Sequence, residues 1–156
     1  MTAITSAALA GHPFLRGMPR EQLDALAIAA TDVAFPGRHP IFEEGGHASR
    51  FWLIQSGRVL LNLHVPGQGP MVIESVCMGQ LLGWSWLFPP FRWAFGAVAD
   101  GPVRAFEFDA AAVRARCAQD PALGYELTRR LAEVVARRLE ATRRRLLTTP
   151  SHLGSQ

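Results

Sequence analysis

Lysine is absent from this chain, and all sixteen of its basic residues are arginine. Together with the abundance of alanine, that bias reads as the imprint of a GC-rich bacterial genome, so arginine as such is no sign of phosphate recognition. Cysteine is scarce too. Cys77 and Cys117 stand forty positions apart, which excludes a disulfide framework and a zinc ribbon, and two thiolates fall short of the roughly four that an iron–sulfur cluster takes. No uninterrupted apolar run approaches about eighteen residues, and the N-terminus MTAITSAALAGHPFL lacks a basic start followed by a long apolar stretch. That excludes a spanning helix and a secretory leader, and predicts a cytoplasmic protein without a membrane partner. His12, His39, His47, His64 and His152 are scattered, with no HExxH, GxSxG or phosphate-loop pattern. No catalytic residue, no metal site and no enzymatic activity is predicted.

What is present suffices for one domain with a real core: 156 residues, 49% of them hydrophobic, fold without covalent staples. The net charge of +3 is mild, but seven arginines lie beyond position 128, so the basic character belongs to the C-terminal segment. Residues 12–30 place Leu23, Leu26, Ala27 and Ala30 at helical spacing after a Met-Pro start and predict an amphipathic helix. From about 31 to 108, short apolar runs alternate with turn signals at 36–38, 43–47, 55–57, 66–70 and 99–102, the pattern of a sandwich or jelly roll. Within residues 51–65, FWLIQSGRVLLNLHV, the alternation predicts a hairpin turning at Ser56 and Gly57. From Asp109 onward the pattern is helical. Asp109 is placed to cap one helix, and a second runs from Asp120 to Leu147 after an Asp-Pro start.

Two segments stand out. Gly79–Ala99, GQLLGWSWLFPPFRWAFGAVA, holds three of the four tryptophans and a single formal charge, Arg92. A buried guanidinium needs an anionic or hydrogen-bonding partner, so the segment reads either as a pocket wall or docking surface, or as ordinary core from which Arg92 reaches to water. On the long helix, Leu127, Leu131, Val134, Val135, Leu139, Thr142 and Leu146 recur at spacings of three and four, and Glu126/Arg130 and Glu133/Arg137 form i,i+4 pairs. A stripe this long outruns a small barrel, which predicts that its outer half packs on a second copy in a homodimer. The alternatives are a helix folded back on its own domain and a basic helix lying on nucleic acid.

The order of parts, and Ile41, Phe42, Glu44, Gly45, Phe51, Leu53, Ile54, Gly57 and Val59, resemble the cyclic nucleotide-binding domain of the catabolite activator protein superfamily over roughly residues 14–147. Gly83, Leu87, Arg92 and Ala94 are similar to its phosphate-binding cassette. The resemblance implies a ligand wall made of Leu82, Gly83, Trp84, Ser85, Trp86, Arg92 and Trp93, with Arg92 and backbone amides holding the phosphate of cyclic AMP or another cyclic nucleotide. Two positions depart from the family pattern. Trp84 stands where the family carries the glutamate that accepts from the ribose 2′-hydroxyl, and Trp93 where it carries serine or threonine. Indole offers one N–H donor and no acceptor, and each lost hydrogen bond to a charged group is worth about 1.5–3 kcal/mol. Thr142 matches a threonine that touches the adenine, and is equally a small residue in a helix seam. The superfamily's transcription factors continue into a winged helix-turn-helix, for which the residues after Leu147 leave no room, so sequence-specific DNA binding is not expected.

The expected fold is therefore mainly β with flanking helices: a cyclic nucleotide-binding jelly roll, or double-stranded β-helix, with an N-terminal helix and a long C-terminal dimerisation helix. The domain spans 12–147, with the barrel over about 31–108, the helices over about 109–147 and a flexible tail at 148–156. Two functions follow. In one, the domain is a sensor whose small anionic ligand meets Arg92 among Trp84, Trp86 and Trp93. In the other, tryptophans fill the pocket and the domain is a protein-interaction scaffold or regulatory subunit, with residues 88–91, FPPF, as a rigid turn.

Overall fold

The computed structural model describes residues 3–148. Six strands form one antiparallel sheet that coils on itself: β1 (Ala30–Phe35), β2 (Pro40–Phe42), β3 (Arg50–Val65), β4 (Gly69–Cys77), β5 (Leu81–Leu82) and β6 (Gly96–Asp109). The path runs β1-β6-β3-β4, with β2 added to β6 and β5 to β3. Helices α1 (Ser6–Ala10) and α2 (Arg20–Ile28) precede the sheet, and α3 (Ala110–Gln119) and α4 (Pro121–Thr148) follow it.

The 55–57 segment is not a hairpin turn. Strand β3 runs unbroken from Arg50 to Val65, and its pairing with β6 shifts register between Ile54 and Ser56 and again between Ser56 and Arg58. Gly57 has φ +88°, and a Cβ there would lie 2.3 Å from the Pro102 carbonyl oxygen. The 99–102 signal likewise lies inside β6, with Gly101 at φ +85°. The two glycine-marked sites face one another as bulges that bend both long strands, which rolls the sheet instead of ending it. The other signals hold: 36–38, 43–47 and 66–70 connect successive strands.

The N-terminal helix is shorter than its periodicity implied. Residues 13–15 form a 3-10 turn, α2 begins at Arg20, and Ala30 opens β1. The packed body also begins upstream of residue 12, because Leu9 in α1 is fully buried. The helix caps read from the sequence are present: the Asp109 carboxylate accepts from the Ala112 N–H at 3.1 Å, and that of Asp120 from the Ala122 N–H at 3.1 Å. The expected tail, apart from Thr148 in α4, lies outside the described residues.

Aromatic stacking fills the centre. Phe51 lies between Phe108 and Trp86, with ring centroids 4.7 and 4.1 Å away. Helix α4, 28 residues and about 42 Å long at about 1.5 Å per residue, leaves the barrel with two faces. Leu123, Leu127 and Leu131 are buried against the domain, and Val134 and Arg138 continue that row half-buried. Thr128, Ala132, Val135, Leu139, Thr142 and Leu146, spaced 4-3-4-3-4, are exposed. The single stripe read from the sequence is thus two adjacent rows, only the first of which is used within the chain.

Candidate functional site

The site expected around Gly83–Trp93 is built where the segment returns to the barrel beside the 43–47 turn. Backbone pairing fixes it: Gly45 N–H donates to the Trp93 carbonyl at 2.8 Å, Trp93 N–H to Gly46 at 2.8 Å, and Ala48 N–H to Phe91 at 2.7 Å. Extended backbone sends successive side chains to opposite faces. Trp93 turns inward and is buried, so Arg92 turns outward and is exposed. The Arg92 guanidinium donates to the Gly45 carbonyl at 3.3 Å. Its side chain is thus exposed, with that one backbone hydrogen bond.

Trp93 stacks on Phe42 with centroids 3.9 Å apart and planes 16° apart, and Trp52 lies 6.1 Å away. Its ring lies over Gly83, where a Cβ would meet it at 2.7 Å. Gly83 is at φ +96°, so the absent side chain serves both the backbone and the tryptophan. Trp84 meets Phe95 edge-on at 5.2 Å. Phe42, Trp84, Trp93 and Phe95 therefore pack together beside Gly83, in the segment that the sequence resemblance implied as a ligand wall. The residues present do not fit a cyclic phosphate and ribose, since the Trp93 indole occupies the space over Gly83 and an indole supplies no acceptor for a ribose hydroxyl.

The remaining expected residues scatter. Leu82 and Ser85 are buried, and Trp86 belongs to the central stack, its Nε1 donating to the Gly83 carbonyl at 3.1 Å. Ser85–Leu87 is only a three-residue 3-10 turn without a side-chain cap. Thr142 is exposed on the outer row of α4. Phe88 is half-exposed, whereas Phe91 lies under the Arg114 guanidinium at 4.4 Å.

One charged residue near this site was missed. Arg138 of α4 lies 4.7 Å over the Trp84 ring, its Nη2 donates to the Leu81 carbonyl at 3.0 Å, and its Nε is 3.6 Å from Glu74. Its side chain is only 15% exposed, and burial pulls its pKa down from the usual arginine range, with the Glu74 charge opposing that shift. The signal lay in the spacing: Arg138 follows Leu127, Leu131 and Val134 on the barrel row, where a solvated arginine does not belong. The Glu126–Arg130 pair forms at 3.1 Å, but Glu133 pairs with Arg129 at 2.6 Å instead of Arg137.

The architecture is thus a coiled antiparallel roll followed by two helices, the second of them long. The model of the cyclic nucleotide-binding domain matches residues 32–120, more than half of the chain, and the chain belongs to that family. A "CRP-like cAMP-activated global transcriptional regulator" from Mycobacterium tuberculosis is 28% identical over 138 residues, covering 88% of this chain and 60% of that protein. The chain thus spans less than two thirds of that relative's length. Among solved structures, a protein from Geobacter metallireducens provisionally described as cyclic nucleotide-binding superposes with a TM-score of 0.79 at 29% identity, over 87% of this chain and 98% of that one. The catabolite activator protein of Thermus thermophilus superposes with a TM-score of 0.69 at 23% identity, over 86% of this chain and 61% of that one. This last likeness concerns the fold alone. That Mycobacterium relative is described as a transcriptional regulator, and no described helix is long and apolar enough to cross a membrane.

Proposed function

We propose that this chain is a non-catalytic, cytoplasmic regulatory domain that acts as a homodimer without taking a cyclic nucleotide into its roll. It transmits by protein contact rather than by nucleotide occupancy. The observation that carries this reading is Trp93, stacked 3.9 Å from Phe42 and filling the space over Gly83. To admit a nucleotide the domain would have to expel that indole into water, and burying an aromatic side chain is worth about 1.5–3 kcal/mol. Arg92, facing outward, would then have to reverse across an extended backbone.

The homodimer reading is supported by the exposed 4-3-4-3-4 row on α4, with Leu139 half-exposed and Leu146 74% exposed. That spacing is the a/d seam of a two-stranded coiled coil, and Thr142 falls within it, which favours the seam role over a base contact. Family membership supports the regulatory role.

Calorimetric titration of the wild-type protein with cyclic AMP and cyclic GMP tests the closed roll. No saturable heat is expected with either nucleotide, and saturable micromolar binding would overturn the reading. Substituting Trp93→Ser and Trp84→Glu together is expected to lower the melting temperature, because it empties the stack on Phe42 and Phe95.

A further inference from the structure

Outside the roll, a cleft of about 440 Å³ separates α4 from the β4–β5 turn and the 3-10 turn at Pro13–Leu15. Phe14, Leu81 and Val134 give it apolar lining, and Arg137, Arg138, Gln80 and the Glu74 carboxylate give it polar and charged lining. None of the aromatic residues that fill the roll lines it, although Trp84 lies under the Arg138 guanidinium.

The charge in this cleft is under-compensated. Arg138 is largely buried, yet its Nη1 is buried without a hydrogen-bond partner, and its contact with Glu74 at 3.6 Å is an ion pair too long for a hydrogen bond. Glu74 is also shared with Arg145, whose Nη2 lies 3.8 Å from it. Arg137 forms no ion pair among the described residues. Gln80 uses its amide oxygen to accept from the Cys77 N–H at 2.7 Å, which leaves its NH2 group as a further donor. Two arginines and one carboxylate, Glu74, therefore line the cleft, and Arg138 Nη1 among them has no partner. A guanidinium held out of water with unused donors is costly unless an acceptor meets it.

We propose that this cleft binds a small anion with an apolar body, of the aryl or acyl phosphate or carboxylate class, its charge between Arg137 and Arg138 and its body against Phe14, Leu81 and Val134. The unpartnered Nη1 of Arg138 is the donor offered to the ligand, and the Gln80 NH2 group is a further one. Phosphate and carboxylate are both acceptors that match a guanidinium in a two-point contact. A ligand seated there joins α4, the regulatory helix, directly to the barrel.

The test uses phenyl phosphate as the probe, followed by the intrinsic fluorescence of the tryptophans, since Arg138 lies over Trp84. Saturable binding is expected, weakened about tenfold or more in Arg138→Gln, the loss of one charge-assisted contact. Because Arg138→Gln disturbs a packed helix face, Ala141→Trp serves as the second variant: Ala141 is exposed on α4 and lines the cleft, so the indole blocks it without removing charge. Binding abolished in Ala141→Trp, with the fold intact by circular dichroism, supports the site. Binding unchanged in that variant, or no saturation with the wild type, overturns it. Inorganic phosphate binding as tightly as phenyl phosphate would overturn the assignment of an apolar body.

Discussion

At Gly57 a backbone requirement and a steric one coincide. Alanine there would be strained at φ +88° and would press on the Pro102 carbonyl, so Gly57→Ala is expected to cost about 2 kcal/mol or more in chemical denaturation. His12 is a second such residue. Its Nδ1 accepts from the Phe14 N–H at 3.2 Å, so the proton resides on Nε2, which donates to the Ile54 carbonyl at 2.9 Å. Burial lowers its pKa from 6.5, against the opposing effect of the Ile54 bond. A group whose folded pKa lies below its unfolded value gives stability that is fully present above pH 6.5 and is lost as pH falls through the folded value. Melting temperature should therefore fall on acidification below pH 6.5, and this part of the slope should vanish in His12→Gln. The sequence set His12 aside as an isolated histidine, since its burial depends on a carbonyl forty-two positions away. Arg92 and Trp93 were both expected on the ligand wall, and the structure separates them, Trp93 buried and Arg92 exposed. They are consecutive, and on an extended segment only one of them can face inward.

Among the elements, α4 carries the proposed dimer seam. Its periodicity predicted both a long helix and a second copy, but not the division into two rows. Leu131, on the barrel row, is buried within the chain, whereas Leu139 on the outer row is half-exposed. Leu139→Arg is expected to shift sedimentation from dimer to monomer while leaving the melt cooperative, and Leu131→Arg to unfold the domain. A dimer unchanged by Leu139→Arg would remove the seam from the account. Strand β3 shows why the hairpin expectation failed. A glycine at positive φ serves a turn and a bulge alike, and only the partner strand distinguishes them. Here β6 carries its own glycine at Gly101, opposite the bend.

For the molecule as a whole, the strand content, the two C-terminal helices and the family were all legible, because they depend on alternation, caps and spaced glycines. The state of the site was only half legible. Tryptophan in place of a carboxylate and of a hydroxyl announces lost polar contacts, but which way the indoles point depends on Phe42 and Phe95 from distant strands. The interior of the roll is aromatic, and a largely buried charge, Arg138, sits on α4. Trp93→Ala is expected to cost about 3–5 kcal/mol of stability, read as a lower denaturation midpoint, because the indole is part of the core.

The most direct measurement is a crystal structure of the wild-type protein grown with cyclic AMP in large excess. The account predicts Trp93 stacked on Phe42 over Gly83, with no nucleotide inside the roll. Nucleotide in the roll, with Trp93 swung out and Arg92 on its phosphate, would contradict it.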